Sequence, residues 1–335
     1  MEWQLDLYRL QDLEALHQKA LAWLAEGDRE KAATALDRAY GLQPEHREVA
    51  EARSRLLETM QRQVEGVNYR YVPGGYFLLG SKSGEPDERP VRLVQVDAFW
   101  IAEVPVDWEQ FCRGMGYEPP PRGIHHDRPD IELAKIKLQY CEDQTTRAVD
   151  WHDHMAEADP EGFQPPRPRT SERIHSWREK PVVAVTCAQS EEFCRKNGLR
   201  LPSEAEWEKA ARGGLVGQPY SWGDAPPCAE NCDFHRFEQF SIQPSRRYPP
   251  NGYGLYAMCG GVWEWTATPY DALAYRGGPT PAGAPMRVVR GGSWADCAEA
   301  VTVSFRGAQE SAEDQWWGTP NVGFRACLGP PTSLE

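Results

Sequence analysis

Tyr253-Gly254-Leu255-Tyr256-Ala257-Met258 runs into Gly260-Gly261-Val262-Trp263-Glu264-Trp265; Arg290-Gly291-Gly292-Ser293-Trp294 and Asn321-Val322-Gly323-Phe324-Arg325 follow. In each stretch a rigid aromatic anchor sits beside glycines that let backbone pass close by. That arrangement describes a loop-rich domain held by short motifs rather than by long helices or strands. The composition agrees: 29 glycines, 28 prolines and 13 tryptophans in 335 residues favour a turn-rich fold with flat aromatic surfaces.

The first ~65 residues differ in texture, and the switch near Val67 divides the chain into a helical module over 1–66 and a main domain over 67–330. Leu13, Leu16, Ala20, Leu21 and Leu24 recur at helical spacing. Gly27-Asp28 breaks that run and caps the next, in which Ala32, Ala33, Leu36 and Ala39 form a second stripe ending near Gly41 and Pro44. A third helix is predicted from about Glu45 to Val64. Trp23, Gly27, Ala32, Leu36, Ala39 and Pro44 resemble the packing positions of one tetratricopeptide repeat. One repeat cannot bury its own face, so the module either caps the main domain or receives a protein partner.

In the main domain, Tyr69 to Gly80 reads as strand, turn, strand around Pro73-Gly74. Val91 to Val96 is predicted as a strand, and Val104 to Met115 and Ala188 to Asn197 as helices. Ser203 stands three residues before Glu206, a capping-box arrangement that starts a helix over Glu204 to Arg212. Between about 116 and 180 lies a long polar insertion rich in Pro, Arg, Asp and His, with one helical piece near Ile131–Glu142.

The net charge of −13, from 37 Lys+Arg against 50 Asp+Glu, argues against nucleic acid or an anionic membrane as general partner. The start Met1-Glu2-Trp3-Gln4-Leu5-Asp6 lacks the features of a signal peptide, and no apolar run approaches the ~20 residues that span a bilayer. A cytoplasmic address is expected. The nine cysteines are then expected to be mostly reduced, their odd number fitting no complete disulfide framework.

Taken together, Val72-Pro73-Gly74-Gly75-x-Phe77, Val96-Asp97-x-Phe99-Trp100-Ile101, Leu199-Arg200-Leu201-Pro202-Ser203-Glu204-Ala205-Glu206-Trp207-Glu208, Ala211-Arg212-Gly213-Gly214 and the signatures quoted first resemble the formylglycine-generating, sulfatase-modifying-factor family. The resemblance covers about Tyr71 to Leu328. It implies an α+β, C-type-lectin-like domain with few regular elements and many loops, here preceded by the small all-helical module.

Catalytic members of that family carry two cysteines shortly after Arg-Gly-Gly-Ser-Trp. As paired thiolates they bind copper and oxidise a substrate cysteine to formylglycine. Soft paired thiolates select Cu(I), and one alone makes no linear site. Here the matching positions are Asp296 and Val301. Cys297 is one position late and lacks a partner before Cys327, so copper is not expected; Cys297 and Ser293 are the only weak catalytic candidates. The alternatives carried by the resemblance are the copper-dependent oxidase itself and an iron-dependent sulfoxide synthase. The iron histidines of the latter lie on a helical domain, whereas the helices here hold only His17 and His46.

Three further metal readings stay open. The resemblance implies calcium at the Gly-Asn-Val-Trp-Glu-Trp segment, where Gly261 replaces the Asn and Glu264 remains; a second calcium site would start at Asn231 with Cys232 and Asp233. Cys228, Cys232, His235 and Cys259 carry zinc-type ligands at an uncommon spacing, and His125-His126-Asp127 with His152-Asp153-His154 lie in the insertion. The alternative for the cysteine set is unrelated, partly buried thiols, and histidines in a Pro-rich loop are more often simply solvated.

Some relatives are variable proteins of diversity-generating retroelements, diversified between Arg-Gly-Gly-Ser-Trp and Gly-Phe-Arg. The equivalent stretch, about 295–322, includes Asp296, Glu299, Gln309, Glu310, Glu313, Asp314, Gln315, Trp316, Trp317 and Asn321, and Trp294 just before it joins them as an expected ligand-binding residue. Aromatic anchors among adaptable polar groups resemble a binding surface. The alternative is that the Trp316 and Trp317 rings pack in the core. The expectation is a non-catalytic protein that binds a ligand or partner protein through these loops.

Overall fold

The computed structural model describes residues 13–116, 180–183, 185–235, 242–277, 285–311 and 321–329. Three helices open it: α1 (Leu13–Ala25), α2 (Arg29–Leu42) and α3 (Arg47–Thr59). Gly27 adopts the left-handed conformation (φ 81°) and Asp28 then accepts a hydrogen bond from the Lys31 amide, so the α1–α2 break forms where glycine and a capping aspartate allow it. Ala20, Ala32, Ala33, Ala35, Leu36 and Ala39 are buried, while Leu21 is exposed.

The third helix stops at Thr59, short of the expected Val64. Residues Gln61–Val64 instead form a strand, β1, paired antiparallel with β2 (Val67–Val72). The first four residues of the main sheet therefore belong to the segment whose composition reads as helical. β3 (Gly75–Leu79) follows the Pro73-Gly74 turn but does not pair with β2. It makes a two-stranded sheet with β4 (Arg92–Val96), while β2 turns its other edge to β5 (Phe99–Ala102). Gly74 is required there, because a Cβ would lie 2.8 Å from the Ala98 amide nitrogen.

The predicted Val104–Met115 helix starts later, as α4 (Trp108–Met115), because Asp107 caps it by accepting from the Gln110 amide at 2.7 Å. Next come α5 (Cys187–Lys196), β6 (Leu199–Arg200) and α6 (Glu204–Arg212), the last opened by the Ser203–Glu206 capping box. The remaining strands are β7 (Trp263–Pro269), β8 (Met286–Arg290), β9 (Arg306–Glu310), β10 (Val322–Phe324) and β11 (Cys327–Leu328). One sheet runs β1-β2-β5-β11-β6 and another β10-β7-β8-β9.

Two buried clusters result. One joins Ala20, Leu36 and Leu57 of the helical module to Tyr71, Phe77, Trp207 and Ala210 of the main domain. The other gathers Trp108, Phe111, Val183, Phe193, Trp265, Trp294 and Phe324. The module thus buries its apolar face on the main domain, as an isolated helical repeat must do on something. Its polar clamp is Arg53, which ion-pairs with Asp37 and donates to the carbonyls of Gly213 and Gly252 at 2.8 and 2.9 Å.

Candidate functional site

All nine residues of α6 are buried, and three of them are glutamates. Each carboxylate is matched by an arginine. Glu206 receives both terminal nitrogens of Arg200, at 2.8 and 2.6 Å. Glu204 receives Arg306 Nε and Nη2 at 2.6 and 3.1 Å, together with the Tyr275 hydroxyl. Glu208 pairs with Arg212 and Arg290. Burying carboxylates is costly unless the charge is paired and its lone pairs are used, and this network meets both conditions.

Arg290 carries the network to the candidate site. Besides Glu208, its guanidinium binds the carbonyls of Val303, Ser304 and Phe305 at 2.8, 2.7 and 3.0 Å. The arginine of the Arg-Gly-Gly-Ser-Trp signature thereby holds the returning strand rather than facing solvent. Its two glycines are demanded by packing. Both have positive φ (98° and 69°), and a Cβ on Gly292 would lie 2.6 Å from the Ala300 carbonyl oxygen and 2.7 Å from a Val301 methyl. The 297–301 turn folds directly onto that bare backbone.

This packing decides the two positions at which the family resemblance implies thiolates. Val301 is wholly buried against Gly292. Asp296 is half-buried. Its Oδ2 accepts from the Ser293 amide at 2.9 Å and meets the Ser293 hydroxyl, which in turn accepts from Asn321 Nδ2 at 3.0 Å. The structure therefore brings Ser293, Asp296 and Asn321 together in one hydrogen-bonded corner. Cys297 and Glu299 are exposed beside it, and the Cys297 thiol hydrogen bond holds the Glu299 carboxyl below its usual range. An oxygen-donating aspartate, an aliphatic side chain and one exposed thiol do not make a two-thiolate copper site.

Other expected positions separate from this corner. Trp294 is 4 % exposed and belongs to the second core cluster, so its ring packs inside instead of presenting a binding face. Glu310 ends β9 and is exposed; Gln309 is half-buried. Glu313, Asp314, Gln315, Trp316 and Trp317 lie outside the described residues, as do both histidine pairs of the insertion.

Of the residues expected at a calcium site, Glu264 is fully buried, and its two oxygens accept from Trp207 Nε1 (2.7 Å) and from Arg325 Nε and Nη2 (3.1 and 2.9 Å). Both oxygens of this carboxylate are thus engaged by an indole N–H and a guanidinium, which ties α6, β7 and the Arg325 segment together. Gly261 keeps a left-handed backbone (φ 80°), which only glycine and asparagine adopt readily; that shared requirement explains the exchange of one for the other. Asn231 accepts from the Cys228 amide, and Asp233 is buried and accepts from the Gln243 amide. The Cys232 thiol donates to the Cys259 carbonyl at 3.2 Å, while Cys228 and His235 are exposed. Among the described residues, no group of three or more His, Cys, Asp or Glu is arranged to hold a metal ion.

Sequence reasoning missed the buried arginines and one lysine. Lys209 sits in α6 at 4 % exposure. The available signal was its place in the unbroken run Trp207-Glu208-Lys209-Ala210-Ala211, whose neighbours all pack inward. No described helix is long and apolar enough to cross a membrane.

Residues 54–328 match the model of the sulfatase-modifying factor enzyme 1-like domain. A mouse protein named inactive C-alpha-formylglycine-generating enzyme 2 is 34% identical over 284 residues, covering 76% of this chain and 83% of its own. The formylglycine-generating enzyme of Mycobacterium tuberculosis is 31% identical, covering 78% and 97%. Among solved structures, Treponema denticola variable protein 1 superposes with a TM-score of 0.57 at 20% identity, covering 81% of this chain and 98% of its own. That likeness places the fold.

Proposed function

The chain belongs to the sulfatase-modifying factor enzyme 1-like family, and from that premise we propose that it is a non-catalytic member which binds a ligand or partner protein through the loops of residues 295–322. The observation that carries this reading is the corner at Ser293. Where copper chemistry would need paired thiolates, Asp296 is engaged with Ser293 and Val301 is core. The family contains proteins named as active and as inactive enzymes, so the scaffold is compatible with either role. What remains at the surface is polar and acidic: Asp296 and Asn321 half-buried, Glu299 and Glu310 exposed, on loops clamped from beneath by Arg290. A rigid frame beneath such loops suits recognition.

The test is a peptide assay. Incubation with a Cys-x-Pro-x-Arg peptide, copper and a reductant is expected to leave the peptide mass unchanged, and conversion of its cysteine to formylglycine overturns the reading. Binding is checked by capture from cell extract. Trp316→Ala with Trp317→Ala is expected to abolish capture while leaving the midpoint of thermal unfolding almost unchanged. The diversified version of the reading further requires a reverse-transcriptase gene and an imperfect template copy of the 295–322 coding region nearby.

A further inference from the structure

We propose that the cavity between the helical module and the main domain, remote from the C-terminal loops, binds a small carboxylate with an apolar or aromatic body. The cavity has a volume of about 470 Å³, within the usual range for small-molecule sites. Its walls include Trp23 and Thr34 from the module, Tyr71 and Phe77 from the first strands, and Lys209 and Leu215 at the end of α6. It exists only because the module is docked. Thr34 and Gly75 meet at its wall, where a Cβ on the glycine would lie 3.7 Å from the threonine methyl.

Two polar groups in this wall are underused. The Tyr71 hydroxyl has no hydrogen-bond partner among the described residues, although the side chain is 3 % exposed. Leaving a buried hydroxyl unmatched is unfavourable, and a ligand acceptor would remove that penalty. Burial also keeps its pKa above the ordinary tyrosine range, so it remains a donor. Lys209 is 4 % exposed and makes a single long hydrogen bond, 3.4 Å, to the Gly75 carbonyl, with its ammonium near the Phe77 ring.

No carboxylate among the described residues ion-pairs with Lys209. Asp37 acts on it through charge alone, its oxygens being committed to Arg53 and to the Tyr253 hydroxyl. Burial accordingly lowers the Lys209 pKa. A buried ammonium with no ion pair among the described residues, lining the same cavity as a hydroxyl without an acceptor, calls for an anion with acceptor oxygens. The apolar walls select the rest of the ligand. Trp23, Phe77 and Leu215 supply apolar surface, while the Glu30 and Asp37 carboxylates in the same wall disfavour a second negative charge, so one carboxylate on a hydrocarbon or aromatic body is the ligand chosen.

The test uses the full chain and isothermal titration calorimetry, with 3-phenylpropanoate and octanoate as probes, each compared with its neutral amide. At least one carboxylate is expected to bind about tenfold more tightly than its amide. Lys209→Met is expected to erase that preference. Tyr71→Phe is expected to weaken the carboxylate several-fold without lowering the melting temperature, and Thr34→Trp to exclude both probes by filling the cavity from the module side. Should Lys209→Met not fold, the Tyr71→Phe and Thr34→Trp variants decide. Absence of binding by both carboxylates up to about 5 mM, equal affinity for acid and amide, or unaltered binding in Thr34→Trp overturns the proposal.

Discussion

Arg325 closes a fork on Glu264, with Nη2 2.9 Å from Oε1 and Nε 3.1 Å from Oε2, and both side chains are shut off from water. The same guanidinium binds the carbonyls of Ala102, Glu103 and Tyr256 at 2.9, 2.9 and 2.7 Å. One side chain near the C-terminal end thus joins β7, the end of β5 and the glycine–tyrosine loop.

Removing it should be severe. Arg325→Met leaves the Glu264 carboxylate buried and uncompensated, and a loss of about 3–5 kcal/mol is expected. The double variant Glu264→Met, Arg325→Met removes the stranded charge and should recover part of that loss. Urea unfolding followed by far-UV circular dichroism measures both. A double variant no more stable than Arg325→Met would show that the carbonyl contacts, not the ion pair, dominate.

A second prediction concerns the clamp of the helical module. Arg53 lies 4.5 Å from the Tyr40 ring centroid and 4.8 Å from that of Tyr253, while its nitrogens reach Asp37, Gly213 and Gly252. Arg53→Ala strands Asp37 and two carbonyls at the seam. Amide exchange in residues 13–59 is expected to rise by at least about tenfold, with much less change in β7 and β8. Uniform exchange across both regions would mean that module and domain unfold as one unit.

Asp107 supplies a prediction in pH. Burial raises its pKa from 3.8 to about 6, against the opposing hydrogen bond from the Gln110 amide. Between those values the folded chain holds the extra proton, so this residue's contribution to stability is present at low pH and is lost as pH rises through about 6. Asp107→Asn keeps an oxygen to cap α4 and removes the titration. It should flatten the pH dependence between about 4 and 6 and stabilise the protein at neutral pH by about 2 kcal/mol, allowing for partial exposure. Melting temperatures across that range check it; an unchanged slope would count against the assignment.

Thiol labelling gives a fourth. Among the described residues, Cys228 and Cys297 are exposed, whereas Cys112, Cys187, Cys194, Cys232, Cys259 and Cys327 are buried. Burial pushes Cys259 up to about 11 and Cys187 up to about 12. Brief treatment with iodoacetamide at pH 8 should therefore modify the two exposed thiols well before the six buried ones, as read by peptide mass spectrometry. Rapid labelling of Cys232 or Cys259 would contradict the packing around them.

Local features were the legible ones. Ser203 with Glu206, Gly27 with Asp28, and the small alanines of α2 act within a few residues of their own position, and each does in the structure what its spacing predicts. Partnerships across the chain were not legible. Tyr69 to Gly80 holds two strands around a turn, yet β2 and β3 find different partners, because pairing is settled by sheet edges far along the chain. Gln61–Val64 has helical composition and becomes a strand because β2 offers it a ladder. Nothing near Glu264 in the sequence announces its partner Arg325, 61 residues later. Trp294 reads as a surface aromatic only while the second core cluster is unseen.

The strand order β1-β2-β5-β11-β6 has a consequence for how the protein comes into being. Cys327–Leu328 pairs with Ile101 and Trp100 on one side and with Arg200 and Leu199 on the other. A nascent chain emerging from the ribosome has nothing to put in that slot until almost all of the family domain has been made. Until then two hydrogen-bonding edges wait unpaired and the Glu264 carboxylate lacks its guanidinium, and such edges are where growing chains aggregate. Closure of this sheet therefore waits for the Cys327–Leu328 segment, and a chain truncated before Arg325 would leave β5 and β6 without the strand that joins them.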